Sequence, residues 1–92
     1  MSESSHTLKV WPVKVWPEFF KAIDNGTKTF EYCVDDGDLQ PNDLVVFAEY
    51  DINTKQYTGA DIIAKITYLL RGSDCCDFPD GYCIFSFKIL GG

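Results

Sequence analysis

Trp16-Pro17-Glu18-Phe19-Phe20-Lys21-Ala22-Ile23-Asp24-Asn25-Gly26-Thr27-Lys28-Thr29-Phe30-Glu31 spells a short helix, its stop and the start of a charged strand without a gap. Pro17 suits the first helical turn, where its missing N–H is no loss. Trp16, Phe19, Phe20 and Ile23 recur at the spacing of one helical face, and that face is predicted to be buried. Glu18 lies near the positive end of the helix, and Asn25-Gly26 offers the left-handed residue that commonly closes one after about two turns. Residues 28–34 then alternate Phe30, Tyr32 and Val34 with Thr29, Glu31 and Cys33, the period of a half-buried strand. A lysine and a glutamate, Lys28 and Glu31, therefore emerge beside a helix end.

Upstream, Lys9-Val10-Trp11-Pro12 recurs at once as Lys14-Val15-Trp16-Pro17. The echo is too short for an architectural repeat and marks one strand running into the helix. Pro12 lacks a ladder donor, so this strand belongs at a sheet edge or carries a bulge. Downstream, Asp35-Asp36-Gly37-Asp38 and Gln40-Pro41-Asn42-Asp43 are turn clusters, and Asn42 can take the positive φ that glycine usually supplies. Strands are predicted over 44–50, 60–70 and 82–89, with a hairpin loop over 51–59 and a longer loop over 71–81. Ile62, Ala64, Ile66 and Tyr68 share one face of the second of these strands, and Cys83, Phe85 and Phe87 one face of the third. Five short strands and one early helix predict an α+β fold, a small twisted barrel whose open end is plugged by the helix.

Ninety-two residues make one domain, spanning 1–92 with a polar tail over 1–7. A chain this size buries roughly 60–65% of the surface its unfolded form exposes, so aromatics must carry much of the core. Seven Phe, five Tyr and two Trp are there to do so. The net charge of −6 is uneven: residues 1–32 hold four lysines against four acids, whereas residues 33–92 hold four cations against ten acids. That acidic surface argues against tight, sequence-independent duplex binding, which rests on cations neutralising phosphates. No apolar run approaches the roughly 18–20 residues of a membrane span and the start lacks a signal-peptide core, which predicts a cytoplasmic protein with reduced thiols. Cys75, Cys76 and Cys83, with Cys33 and His6, include no Cys-x-x-Cys pair, so neither a metal nor another cofactor is expected.

In this order the residues resemble the ASCH group of the PUA-like superfamily, especially its small bacterial and phage members of uncharacterised function. The similarity runs through His6-Thr7-Leu8-Lys9, the helix start Pro17-Glu18-Phe19-Phe20, and the signature Gly-x-Lys-x-x-Glu, present as Gly26-Thr27-Lys28-Thr29-Phe30-Glu31. It continues in Asn42-Asp43-Leu44-Val45, Glu49-Tyr50-Asp51 and Tyr57-Thr58-Gly59. The resemblance implies a PUA-like pseudobarrel with a helix beside a cleft and a role in RNA or modified-nucleotide recognition. Two departures stand out. Cys33 occupies the place where the group usually carries an arginine, with Val34, Asp35, Asp36 and Gly37 in place of further basic residues. The His-Leu-Lys segment also lies five residues too far upstream, so either Lys9 or Lys14 can be the group's lysine, Lys14 being contiguous with Trp16-Pro17.

The expected ligand site comprises Lys14, Trp16, Lys28, Glu31 and Tyr32. An ammonium can meet phosphate or carbonyl oxygen, and a carboxylate can accept from a base edge or ribose hydroxyl. Trp11, Trp16, Tyr32 and Tyr50 can stack on a base or pack the core. The expected partner is single-stranded or modified RNA, or a nucleotide, bound by a monomer. Two other readings remain: an acidic protein-interaction module whose loop over 35–43 mimics phosphate charge toward a basic partner, and an amidohydrolase on acylated nucleosides. Some ASCH relatives are implied to use a lysine, a threonine and a distant glutamate for the latter; Lys28 fits the lysine, while Glu31 stands at the threonine position.

Overall fold

Strand β1 (Val10–Val15) runs directly into helix α1 (Pro17–Asp24) through Trp16, whose extended backbone makes it the N-cap residue. The computed structural model describes residues 9–35, 38–74 and 79–91. The Trp16 carbonyl accepts from the Phe19 and Phe20 N–H groups at 3.0 and 2.9 Å, so Pro17 starts the helix where no donor is missed. At the far end Gly26 takes φ +84°, the left-handed conformation that glycine adopts without strain. The Thr27 and Lys28 N–H groups both return to the Ala22 carbonyl at 3.0 Å and satisfy the helix end.

Strand β2 (Phe30–Val34) follows, then β3 (Leu44–Asp51), β4 (Gln56–Arg71), a 3-10 turn at Gly72–Asp74, and β5 (Tyr82–Gly91). They form one mixed sheet in the order β1-β3-β4-β5-β2, with β1 parallel to β3 and every other pairing antiparallel. The sheet curls into a half-barrel, so the fold is the α+β pseudobarrel that the strand and helix pattern predicts. Pro12 sits in β1, an edge strand, where its missing N–H interrupts no central ladder. The two edges, β1 and β2, face each other across the open side, and α1 packs against β3 beside that opening. Phe47, Phe85, Ile23, Ile66 and Val45 fill the concave side. Each large side chain there contributes about 1.5–3 kcal/mol by leaving water.

Asn42 has φ +78°, as its turn requires, and the turn delivers Asp43 into the interior. Its carboxylate accepts from the Lys9 N–H at 3.2 Å, the Trp11 indole N–H at 3.1 Å and the Gln40 N–H at 3.1 Å. One buried acid thus ties the start of β1 to the loop before β3.

Several local expectations change. The helical face is only partly covered: Ile23 is buried and Phe20 half-buried, while Trp16 and Phe19 stay exposed because they border the opening of the half-barrel instead of its core. The hairpin joining β3 and β4 is a tight turn over 52–55, with Tyr50 opposite Tyr57, so β4 starts earlier than residue 60. Tyr68 leaves the face shared by Ile62, Ala64 and Ile66, because the register shifts between Ile66 and Tyr68; Leu69 takes the inward place and Tyr68 is 67% exposed. In β2 the apolar set Phe30, Tyr32 and Val34 faces outward, while Glu31 and Cys33 turn toward the concave side. The cause is register: Glu31 pairs with buried Phe85 and Cys33 with buried Cys83. Strand β5 runs past residue 89, with Gly91 paired with Ile63.

Candidate functional site

Between the facing edges of the half-barrel lies a cleft of about 310 Å³, lined by Val13, Lys14, Val15, Trp16 and Phe19 on one wall and by Glu31, Tyr32 and Cys33 on the other. Four of the five residues expected in a ligand site, Lys14, Trp16, Glu31 and Tyr32, are therefore brought together there. Lys28, the fifth, stands behind Glu31. Its ammonium donates to the Phe30 carbonyl at 2.9 Å and to Glu31 Oε1 at 3.0 Å. The ring of Phe30 lies 4.9 Å from the same nitrogen.

The local sequence explains this placement. The positive φ of Gly26 turns the chain back, and Asn25 Oδ1 accepts from the Thr27 N–H at 3.0 Å and the Thr27 hydroxyl at 2.7 Å. Lys28 thus leaves a tied turn, close enough for its ammonium to reach a carboxylate three residues on. Glu31 occupies an inward position of β2, so its side chain is only 14% exposed and that of Lys28 17%. Oε1 accepts from Lys28 and from the Tyr32 N–H at 3.2 Å. Oε2 is buried and has no partner among the described residues. An unsatisfied carboxylate oxygen away from water is costly, and a donor on an incoming molecule would relieve it.

On the opposite wall, Lys14 Nζ lies 4.4 Å from the centre of the Tyr50 ring, and Trp16 packs against the same ring at 5.9 Å with a tilt of 38°. Tyr50 is in turn held edge-on by Tyr57 at 5.0 Å. Tyr50 therefore supports the cleft from behind without lining it. Tyr32 stacks flat on Tyr82, centroids 5.4 Å apart and planes within 4°. Trp11 serves the Asp43 contact and does not line the cleft. Lys9 also lies elsewhere, near the Trp11 ring at 5.6 Å and Asp38 at 3.8 Å, so Lys14 is the lysine at the cleft.

Cys33 lines the cleft as well, a residue outside the expected ligand set. Its Sγ lies 3.3 Å from Cys83 Sγ across the β2–β5 ladder. Burial first, then the Cys83 sulfur and the charges of Glu31 and Asp35, push the Cys33 thiol up to about 12. Sequence reasoning also missed the interior role of Asp43; the signal was a turn residue able to take positive φ, followed at once by an acid.

The described acids of the loop over 35–43 are engaged within the fold. Asp35 pairs with Arg71 at 3.1 Å, Asp38 lies by Lys9, and Asp43 is buried. Arg71 also donates to the Leu39 carbonyl, which fastens the loop to the end of β4. Asp36 and Gly37 lie outside the described residues. The Lys28 ammonium contacts a carboxylate and a carbonyl, neither of which is the hydroxyl nucleophile that an amidohydrolase of the implied kind requires. Among the described residues no group of three or more His, Cys, Asp or Glu could hold a metal ion. His6, Cys75, Cys76 and Asp77 lie outside them. Among the described residues no helix is long and apolar enough to cross a membrane.

No curated protein matches the chain. A family described as a domain of unknown function, DUF3850, matches residues 5–87 and so takes in every element from β1 to all but the end of β5. The chain belongs to the DUF3850 family.

Proposed function

We propose that this protein is a monomeric cytoplasmic module that binds a base of single-stranded RNA, or a modified nucleotide, in the cleft between its two sheet edges. The observation that carries the reading is Glu31, a residue lining an otherwise largely apolar hollow, whose carboxylate keeps one oxygen, Oε2, buried and without a partner among the described residues. A carboxylate accepts only, so the complementary ligand brings an N–H or O–H donor, as a base edge or ribose hydroxyl does. Trp16 on the facing wall offers ring surface on which a planar base can rest, and Tyr32 lines the cleft next to Glu31. Lys14 is the cation of the cleft lining, placed to meet a phosphate or a carbonyl oxygen. The resemblance of Gly26-Thr27-Lys28-Thr29-Phe30-Glu31 to the ASCH signature supports the same reading and that of a PUA-like module. A cleft of about 310 Å³ is at the small end of the range for ligand sites, which favours one nucleotide over a folded RNA.

The test is a chemical-shift titration at low salt with short single-stranded RNAs and with free and modified nucleosides. Shifts concentrated at Lys14, Trp16, Glu31 and Tyr32, and reached only at higher ligand concentration in Glu31→Gln, are expected. No perturbation around the cleft with any of these probes would overturn the proposal.

A further inference from the structure

Cys33 and Cys83 sit directly opposite each other on antiparallel neighbours, with sulfurs 3.3 Å apart and both in the thiol state. Directly opposed residues in an antiparallel ladder have Cα atoms roughly 4.5 or 5.5 Å apart, and disulfides span roughly 4.4–6.8 Å. Either kind of pair therefore satisfies the backbone requirement. Closing the sulfurs to about 2.05 Å needs side-chain rotation and no movement of the strands. The two cysteines also differ in access: Cys83 is fully buried, whereas Cys33 is half-buried and forms part of the cleft wall.

From this geometry we propose that Cys33 and Cys83 are a reversible redox site, closing into an intrachain disulfide on reaction with a small disulfide such as oxidised glutathione that enters through the cleft. Cys33 loses its proton to solvent, and its thiolate attacks one glutathione sulfur. The glutathione S–S bond breaks, a mixed disulfide forms at Cys33, and one glutathione thiolate leaves. Cys83 then gives up its proton and attacks the Cys33 sulfur, forming the Cys33–Cys83 bond and expelling the second glutathione thiolate. Two protein thiols are oxidised and one glutathione disulfide is reduced to two thiols. The bridge joins β2 to β5 and closes a 50-residue span, and it alters the cleft wall next to Glu31. The proposal does not depend on which ligand the cleft takes.

The first step should be slow at neutral pH, because burial first, then the neighbouring Cys83 sulfur and the charges of Glu31 and Asp35, keep the Cys33 thiol protonated, while Arg71, in register with Cys83, is engaged by Asp35. Its rate should rise about tenfold per pH unit through the mildly alkaline range. The experiment uses the full chain with Cys75→Ser and Cys76→Ser, so that only the two cysteines of interest remain, equilibrated with oxidised glutathione at pH 8.5. Expected are loss of both titratable thiols, a mass lower by about 2 Da, a linked 33–83 peptide, and a melting midpoint at least about 5 °C higher that dithiothreitol reverses. Persistent thiols, a stable glutathione adduct, a chain-to-chain disulfide or a lowered midpoint would each overturn the proposal. Should the double variant not fold, fragment-ion sequencing of the linked peptides from the wild-type chain decides the same question.

Discussion

The Lys28 ammonium neutralises one oxygen of the Glu31 carboxylate at 3.0 Å and leaves the other, Oε2, buried without a partner among the described residues. Under the proposed function the two residues therefore have separable roles, Glu31 toward a ligand and Lys28 toward Glu31. Glu31→Gln keeps the shape and one carbonyl acceptor but removes the charge. It should weaken nucleoside binding about tenfold and lower stability by no more than about 1 kcal/mol. Lys28→Met leaves a mostly buried carboxylate without its counter-charge and should cost about 1–3 kcal/mol, less than the loss at a fully buried pair. Urea unfolding of both variants beside a nucleoside titration checks the order, and equal stability losses would contradict this division of roles.

Because Lys28 is already engaged, Lys14 is the lysine that lines the cleft. Affinity for a short single strand should then fall only gently with salt, with a slope of log K against log salt near −0.7 for one phosphate contact. A slope several times steeper would show that cations outside the cleft carry the interaction.

The sequence disclosed the helix, its proline start, its Gly26 stop, the edge position of Pro12 and the positive φ of Asn42, because each is a local property of the backbone. It also named four residues that the fold brings to one cleft. What it concealed depends on pairing. The outward turn of Phe30, Tyr32 and Val34 follows from the register of β2 on β5, and alternation alone cannot say which of two faces is inside. The exposure of Tyr68 follows from a bulge that no residue in 60–70 announces. The Cys33–Cys83 contact joins residues 50 apart and needed the same register to be known.

Asp43 should prove more important to the fold than its place in a turn suggests. Asp43→Ala leaves the Lys9 and Gln40 N–H groups and the Trp11 indole N–H without their acceptor. Hydrogen bonds to a charged group contribute about 1.5–3 kcal/mol each, but water reaches part of this region, so a total loss of about 3 kcal/mol is expected. Tryptophan fluorescence should shift with it, and a loss under about 1 kcal/mol in urea would contradict the structural role.

Alkaline stability should report the Cys33 thiol. In the unfolded chain a cysteine loses its proton near pH 8.5, whereas burial pushes Cys33 up to about 12 in the folded state. Between those values the folded form holds a proton that the unfolded form has released. The contribution is therefore complete below about pH 8.5 and declines as pH rises toward 12. Under reducing conditions the melting midpoint of the wild type should fall more between pH 8 and pH 10.5 than that of Cys33→Ala, in which this proton is absent. Parallel falls would assign the alkaline loss to other groups.

Gly72 should resist even the smallest side chain. It is buried at the start of the 3-10 turn, and a Cβ added there would overlap the Pro79 carbonyl and crowd the Asp80 Cα, all backbone atoms that cannot rotate away. Two effects oppose each other. Replacing glycine with alanine restricts the unfolded chain and gains about 0.4–1 kcal/mol, whereas overpacking a rigid contact costs about 1–3 kcal/mol. The steric term should win, lowering the melting midpoint by several degrees in Gly72→Ala. Gly91 supplies the control: it lies in β5, its φ is not positive, and nothing stands within 4 Å of an added Cβ. Gly91→Ala should leave the midpoint unchanged or raise it slightly. The same small response from both variants would mean that the segment at Pro79 moves aside at little cost and does not clasp Gly72.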